Sequence, residues 1–258
     1  MEERIEYMIL NGELQPLQHS RSAYIYQDIH TLAHQPRLTT QHLQIIDHAA
    51  SALFGIEVWL GIKEVEEDVA TLLQHNHTTR NTSVRVRLKI YASGDYTLEQ
   101  DVSSIYRGYT MRSLRVNASF IAAVAPLNHY PTSAMLATKT LLDDIAQARE
   151  LNQVIMTNAE GEIIPDSVNP LFMIRANTLY APSLPKPSVE QQVIERAAVK
   201  LGLQVIRGPI TVEQTKLADE IFVSSWQGIT SVAHIDNRPY GSTLSERIAI
   251  GMEEEFRL

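Results

Sequence analysis

The run Ser133-Ala134-Met135-Leu136-Ala137-Thr138-Lys139 is largely apolar until it meets a lysine, and from Lys139 to Glu150 the pattern reads as a short helix. Two segments follow in order: Thr157-Asn158-Ala159-Glu160-Gly161-Glu162, then Asn169-Pro170-Leu171-Phe172-Met173-Ile174. Strands are expected at residues 153–157, 171–174 and 178–180. Leu184-Pro185-Lys186-Pro187-Ser188 breaks the chain and opens a strong helix. Ser188 with Gln191 has capping-box spacing, and Val189, Val193, Ala197 and Leu201 form one apolar stripe. Thr211 with Gln214 repeats that spacing before a shorter helix. Strands at 220–225 and 230–235 and a helix at 244–256 close this half.

Toward the amino terminus, Tyr7-Met8-Ile9-Leu10 enters an Asn11-Gly12 turn, since that pair tolerates the positive φ of a hairpin. A second strand is expected at 22–29. A helix follows, capped by Thr39 or Thr40, with Leu43, Ile46, Ala50 and Leu53 at helical spacing. Another helix spans 63–74. Val84-Arg85-Val86-Arg87-Leu88-Lys89-Ile90 alternates as a half-buried strand does, and β patterns continue at 95–102 and 115–125. Residues 126–131, bounded by Pro126 and Pro131, read as a linker. The expectation is therefore an α+β chain with a small domain at 1–125 and a larger one at 132–258.

Bulk properties exclude several functions. Net charge is -8, with no Lys/Arg block, so no basic face is expected for nucleic acid or an anionic membrane. There is no cysteine, hence no disulfide framework, thiolate nucleophile or sulfur-ligated metal. No apolar run is long enough to span a bilayer. Met1-Glu2-Glu3-Arg4 lacks the basic and apolar regions of a signal peptide, so a cytoplasmic protein is expected. His75-Asn76-His77 has chelate-like spacing without a third ligand nearby, and no metal is expected. Ser224-Ser225-Trp226-Gln227-Gly228 lacks the first glycine of a nucleophile elbow.

The order of segments from Thr132 to Asp236 resembles the fold type IV pyridoxal phosphate enzymes, the class IV aminotransferases and aminodeoxychorismate lyases. Further pieces share the likeness. His42-Leu43-Gln44-Ile45-Ile46 with Ala49-Ala50-Ser51-Ala52-Leu53-Phe54-Gly55-Ile56 is similar to the family's first long helix. Asn169, Leu171 and Phe172 with Asn177-Thr178-Leu179-Tyr180-Ala181-Pro182 resemble its S-N-x-F…G-x-L-x-T-P segment. Asp219-Glu220-Ile221-Phe222-Val223 and Gly228-Ile229-Thr230-Ser231-Val232 with Ile235-Asp236 resemble its last diagnostic pair. The resemblance implies a two-domain D-amino acid aminotransferase-like fold, a homodimer, and pyridoxal 5′-phosphate as cofactor. It also implies an amino- or keto-acid substrate, and Lys139 as the Schiff-base residue and general acid/base.

Other family ligands are replaced. The first-helix arginine that holds phosphate falls at Ile45, and the carboxylate that pairs with the pyridinium falls at or near Ile164. Asp166 is the preferred substitute, Glu162 the other; Pro165-Asp166-Ser167 is also an ordinary turn composition. The Gly-Ile-Thr turn becomes Pro187-Ser188-Val189, leaving Ser188 at a helix amino end as an anion contact or a plain N-cap. Ser224, Ser225 and Thr230, flanking Gly228, resemble a second phosphate contact. The small domain's G-D-G-x-F-E segment has no counterpart between Ser22 and Pro36. The interval from Lys139 to Gly161 looks about two helical turns short. Two functions are thus expected: an aminotransferase or aminodeoxychorismate lyase-like enzyme working through Lys139, or an inactive relative that binds a small acidic ligand or a protein partner. In the second case Lys139 reads as a lysine whose stem lies along the apolar run.

Overall fold

The computed structural model describes residues 6–256, except the side chains of residues 112–115. The signal-peptide reading of Met1–Arg4 lies outside the described residues. Two compact units divide the chain: one runs to Gly108 and takes in Pro131–Ser133, the other holds Tyr109–Tyr130 and continues from Ala134.

The first unit contains β1 (Tyr7–Leu10), β2 (Glu13–Pro16), β3 (Tyr24–Leu32), β4 (Gln35–Pro36), α1 (Thr39–Phe54), α2 (Ile62–His75), β5 (Ser83–Tyr91) and β6 (Tyr96–Ser103). Its sheet has the order β2-β1-β6-β5-β3-β4 with antiparallel neighbours throughout. The Asn11-Gly12 turn joins β1 to β2, as its composition requires. Ile25, Ile29, Val86, Leu88, Ile90 and Leu98 are buried, as are Ile46 and Ala50 of α1 and Val65, Val69 and Leu72 of α2. Each such aliphatic side chain contributes about 1.5–3 kcal/mol relative to exposure. The expected Thr39 or Thr40 cap is not used: Leu38 is the N-cap, in a left-handed conformation, and Thr39 is the first helical residue, buried with its hydroxyl unpartnered. The β5 alternation marks two chemistries rather than core and solvent. Arg87 is itself buried, because Asp28 grips it from β3 with oxygens 2.7 and 3.0 Å from its nitrogens.

The second unit contains β7 (Thr110–Ala122), α3 (Ser133–Ala148), β8 (Gln153–Thr157), β9 (Leu171–Arg175), β10 (Thr178–Ala181), α4 (Val189–Lys200), β11 (Gln204–Arg207), α5 (Val212–Thr215), β12 (Glu220–Ser225), β13 (Gly228–Ile235), β14 (Arg238–Pro239) and α6 (Thr243–Glu254). Its sheet runs β11-β10-β9-β12-β13-β7-β8, with β14 on β13. β7 was expected to go with the first half, but it lies parallel between β13 and β8 and so belongs to the second sheet. Phe172 and Phe222 sit directly opposite on β9 and β12 and stack at 5.0 Å, both fully buried. Gly228 opens β13 with φ +117°, and a Cβ there would lie 2.3 Å from the Thr110 carbonyl oxygen, so only glycine fits.

The helix around Lys139 is longer than the sequence pattern suggested. It begins at Ser133, so the apolar run is its first two turns and Lys139 is its interior. The run looked like a separate segment because Met135 and Ala146 alone are buried on this helix, which leaves a weak periodic signal.

One buried base sets a pH dependence for the first unit. His42 on α1 is fully enclosed and gives its Nδ1 hydrogen to Gln27 Oε1 at 2.9 Å, while Nε2 is buried without a partner. Burial, with nearby His30 adding to it, pushes its pKa down from 6.5 to about 3. A base depressed in the fold is protonated first in the unfolded chain, so its stabilising effect is complete above 6.5 and declines as pH falls toward 3. Thermal unfolding of the wild type is expected to lose stability below pH 6.5, with a limiting slope of about 1.4 kcal/mol per pH unit, and His42→Gln to flatten it. Parallel pH profiles for the two proteins would contradict this.

Candidate functional site

The registers of the second sheet bring several chain ends together. β9 begins at Leu171 opposite Val223, β10 ends at Ala181 beyond the Tyr180–Met173 pair, and β12 ends at Ser225 opposite Gly228, where β13 begins. The amino end of α4 is tied to the same place, since Gln191 Nε2 donates to the Pro182 carbonyl at 3.0 Å.

Asn169 is the hub of this end. It precedes β9 with Pro170, and its side chain is held on both faces of the amide. Nδ2 donates to the Ser224 carbonyl at 3.0 Å, and Oδ1 accepts from Lys139 Nζ. Its backbone N–H donates to Asp166 Oδ1 at 2.9 Å, beside that of Val168 at 2.8 Å. The Ser224 N–H donates to the Pro170 carbonyl at 3.1 Å, and Asn128 Nδ2 to the Pro165 carbonyl at 3.0 Å. Loop 165–170 is thus fastened to β12, to α3 and to the loop after β7.

The expected site residues have unequal surroundings, and hydrogen bonds through Asn169 link Lys139 and Asp166 among them. Lys139 lies on the inner stripe Met135–Lys139–Leu142–Ala146, at 4, 3 and 4 residue steps, its amine at the loop hub. Asp166 joins it through Asn169, and its Oδ1 closes the turn that Pro165-Asp166-Ser167 suggested. Ser188 is the N-cap of α4 and accepts the Gln191 N–H at 3.1 Å; the reciprocal half of the expected capping box is missing, because the Gln191 side chain turns its Nε2 to Pro182 and Glu195 and leaves its Oε1 without a partner. Ser225 accepts the Gln227 N–H at 3.3 Å within the β12–β13 turn. Thr230 pairs with Val223 further along the ladder. The alternative carboxylate Glu162 accepts from Asn158 Nδ2 at 3.0 Å, in the turn after β8.

Sequence reasoning missed three features. Asn169 was read only as part of a motif, although an asparagine before a Pro-Leu-Phe strand start is a residue whose side chain can hold neighbouring backbone. Ser224 was among the expected phosphate contacts, but that its hydroxyl and that of Ser167 are buried without a partner was not legible. Glu190 is buried in the first turn of α4.

These positions can be set against what pyridoxal phosphate needs: donors for phosphate, an amine, and a group for the ring nitrogen. The orphaned hydroxyls of Ser167 and Ser224 fit an acceptor-rich group. Asp166 retains a carboxylate beside the hub. The amine of Lys139 is present, inside a helix and bonded to Asn169. A separate cavity of about 560 Å³, lined by Phe120, Lys216, Asp236, Arg238 and Tyr240 among others, contains none of the expected site residues. Among the described residues no group of three or more metal-ligating side chains could hold a metal, and no helix is long and apolar enough to cross a membrane.

Comparison with known proteins gives a consistent picture. The profile of the amino-transferase class IV family matches residues 28–235. The branched-chain amino acid aminotransferase of Escherichia coli superposes with a TM-score of 0.75 at 19% identity, over 95% of this chain and 92% of that one. A putative 4-amino-4-deoxychorismate lyase from Legionella pneumophila gives 0.75 at 16% identity, over 90% and 91%. An aminotransferase from Brucella abortus, bound to the cofactor PLP, gives 0.75 at 15% identity, over 98% and 99%. No curated protein matches the sequence significantly.

Removing the hub tests the geometry without any ligand. Asn169→Ala leaves the Ser224 carbonyl and the Lys139 amine without their partner, and is expected to cost about 2 kcal/mol in urea unfolding. A loss below about 0.5 kcal/mol would mean that the loop is held by other contacts.

Proposed function

Because this chain belongs to the aminotransferase class IV family, we propose that it binds pyridoxal 5′-phosphate, together with a small amino or keto acid, where the start of β9 meets the end of β12 and the amino end of α4. The reading rests on the buried, unpartnered hydroxyls of Ser167, in the loop that carries Asn169, and of Ser224, whose carbonyl Asn169 holds. Buried donors in folded proteins are nearly always paired, and a phosphate or carboxylate oxygen supplies the partner these two lack.

Bound there, the cofactor supplies an electron-withdrawing ring beside the amino-acid carbon. The chain's own residues bind and orient. Ser224 and Ser167 donate to the anionic end, with Ser188, Ser225 and Thr230 as the further contacts that the family pattern implies. Asp166 supplies the carboxylate nearest the hub. Asn169, fixed by Ser224 and Lys139, presents a rigid amide dipole. Ile45 stands where the family has an arginine, so affinity for the dianion is lower than in a site with a bidentate arginine. The family resemblance also supports a homodimer in the cytoplasm as the working form.

Titration with pyridoxal phosphate, followed by ultrafiltration and absorbance, tests the reading. Saturable uptake, displaced by inorganic phosphate, is expected, and Ser224→Val should weaken it by roughly tenfold through loss of a charge-assisted hydrogen bond. Uptake that does not saturate, or that is identical in Ser224→Val with unchanged circular dichroism, would contradict it.

A further inference from the structure

We infer that Lys139 is a positioning residue for Asn169 and is not the covalent anchor of the cofactor, so that pyridoxal phosphate is held by this chain through non-covalent contacts alone. The inference rests on the binding reading above and adds how the ligand is retained.

The helix boundary is the first reason. The family likeness placed a lysine at the mouth of a helix, yet α3 begins at Ser133 and Lys139 is its seventh residue. The amine's attachment point is therefore roughly 9 Å along the helix axis from the start. The same displacement accounts for the short interval before Gly161. Two helical turns are about seven residues, and moving back by that length from Lys139 reaches Pro131-Thr132-Ser133. With α3 at its true length the interval is complete, and the residues at the mouth of the helix carry no amine. Their backbone is also fixed: the Pro131 carbonyl accepts the Tyr26 N–H at 2.8 Å, and Thr132 bridges to Ile25.

The second reason is how Lys139 is used. Its stem lies on the stripe that α3 turns inward, with Met135 packed in the cluster of Ala125 and Met156 and with Leu142 against it. The amine then emerges at Asn169 Oδ1. That bond also fixes which way the amide points, because Nδ2 must face the Ser224 carbonyl. A carbon–nitrogen bond from Lys139 to a ligand would take the amine from Asn169 and leave Oδ1 unpaired, at the cost of an unmade hydrogen bond in a part-buried place.

Borohydride reduction decides the point. Wild-type protein is incubated with pyridoxal phosphate, reduced, digested and examined by mass spectrometry, while ultrafiltration reads binding in Lys139→Met and Lys139→Arg. No phosphopyridoxyl group is expected on Lys139 in the wild type. Lys139→Arg keeps the donor to Asn169 and should bind as the wild type does; Lys139→Met should bind roughly fivefold more weakly, the effect of one lost hydrogen bond. A stoichiometric adduct on Lys139, or loss of binding in Lys139→Arg, would overturn the inference. If the wild type takes up no ligand and carries no adduct, the binding reading fails and non-covalent retention fails with it, whereas an adduct on Lys139 alongside saturable uptake overturns the inference alone.

Discussion

β7 lies parallel to both of its neighbours, and the layout of the second unit follows from that constraint. Parallel strands cannot be joined by a tight turn, so the chain needs a crossover long enough to carry it back before β8. α3 is that crossover, and at 16 residues it covers about 24 Å. Its length decides what Lys139 is. A helix that began at the lysine would offer the amine at its mouth; the helix that the crossover uses places the lysine two turns inside, on the stripe that meets the core. A second crossover, β10–α4–β11, is built in the same way and brings a helix amino end to the place where β9 starts.

Between these elements the site is a hydrogen-bonded loop more than an open pocket. Asn169 pairs with Ser224 of β12 and Lys139 of α3 through its side-chain amide and with Asp166 of its own loop through its backbone N–H, so a helix, a strand and a loop share one residue. Networks of this kind reinforce one another where water is scarce, and they penalise any member left unpaired. Two hydroxyls in the network are unpaired, and a buried glutamate occupies the helix end where an anion would be most welcome. The family frame is present, and the Lys139 amine is bonded to Asn169 within it.

Much of the fold was legible in the sequence. Asn11-Gly12 announced its hairpin, α2 lies within a residue of its expected span at each end, and Thr211 with Gln214 forms the complete capping box that their spacing implied. What could not be read locally depended on partners far along the chain. Nothing in residues 110–122 says that their ladder partners are 228–235 and 153–157, so β7 was placed with the wrong half. Nothing in Ser133–Ala137 separates an apolar strand from the first turns of a helix that buries little. That single ambiguity moved Lys139 from the interior of a helix to its mouth. The orphaned serines and the enclosed Glu190 are properties of burial, which composition does not reveal.

A crystal structure of the protein soaked with pyridoxal phosphate tests the central claim most directly. The account predicts density for the phosphorylated ring near Ser167 and Ser224, with Lys139 still bonded to Asn169 and no density joining it to the ligand. Continuous density from Lys139 Nζ into the ring's substituent would contradict it, as would a ligand lodged away from Asn169.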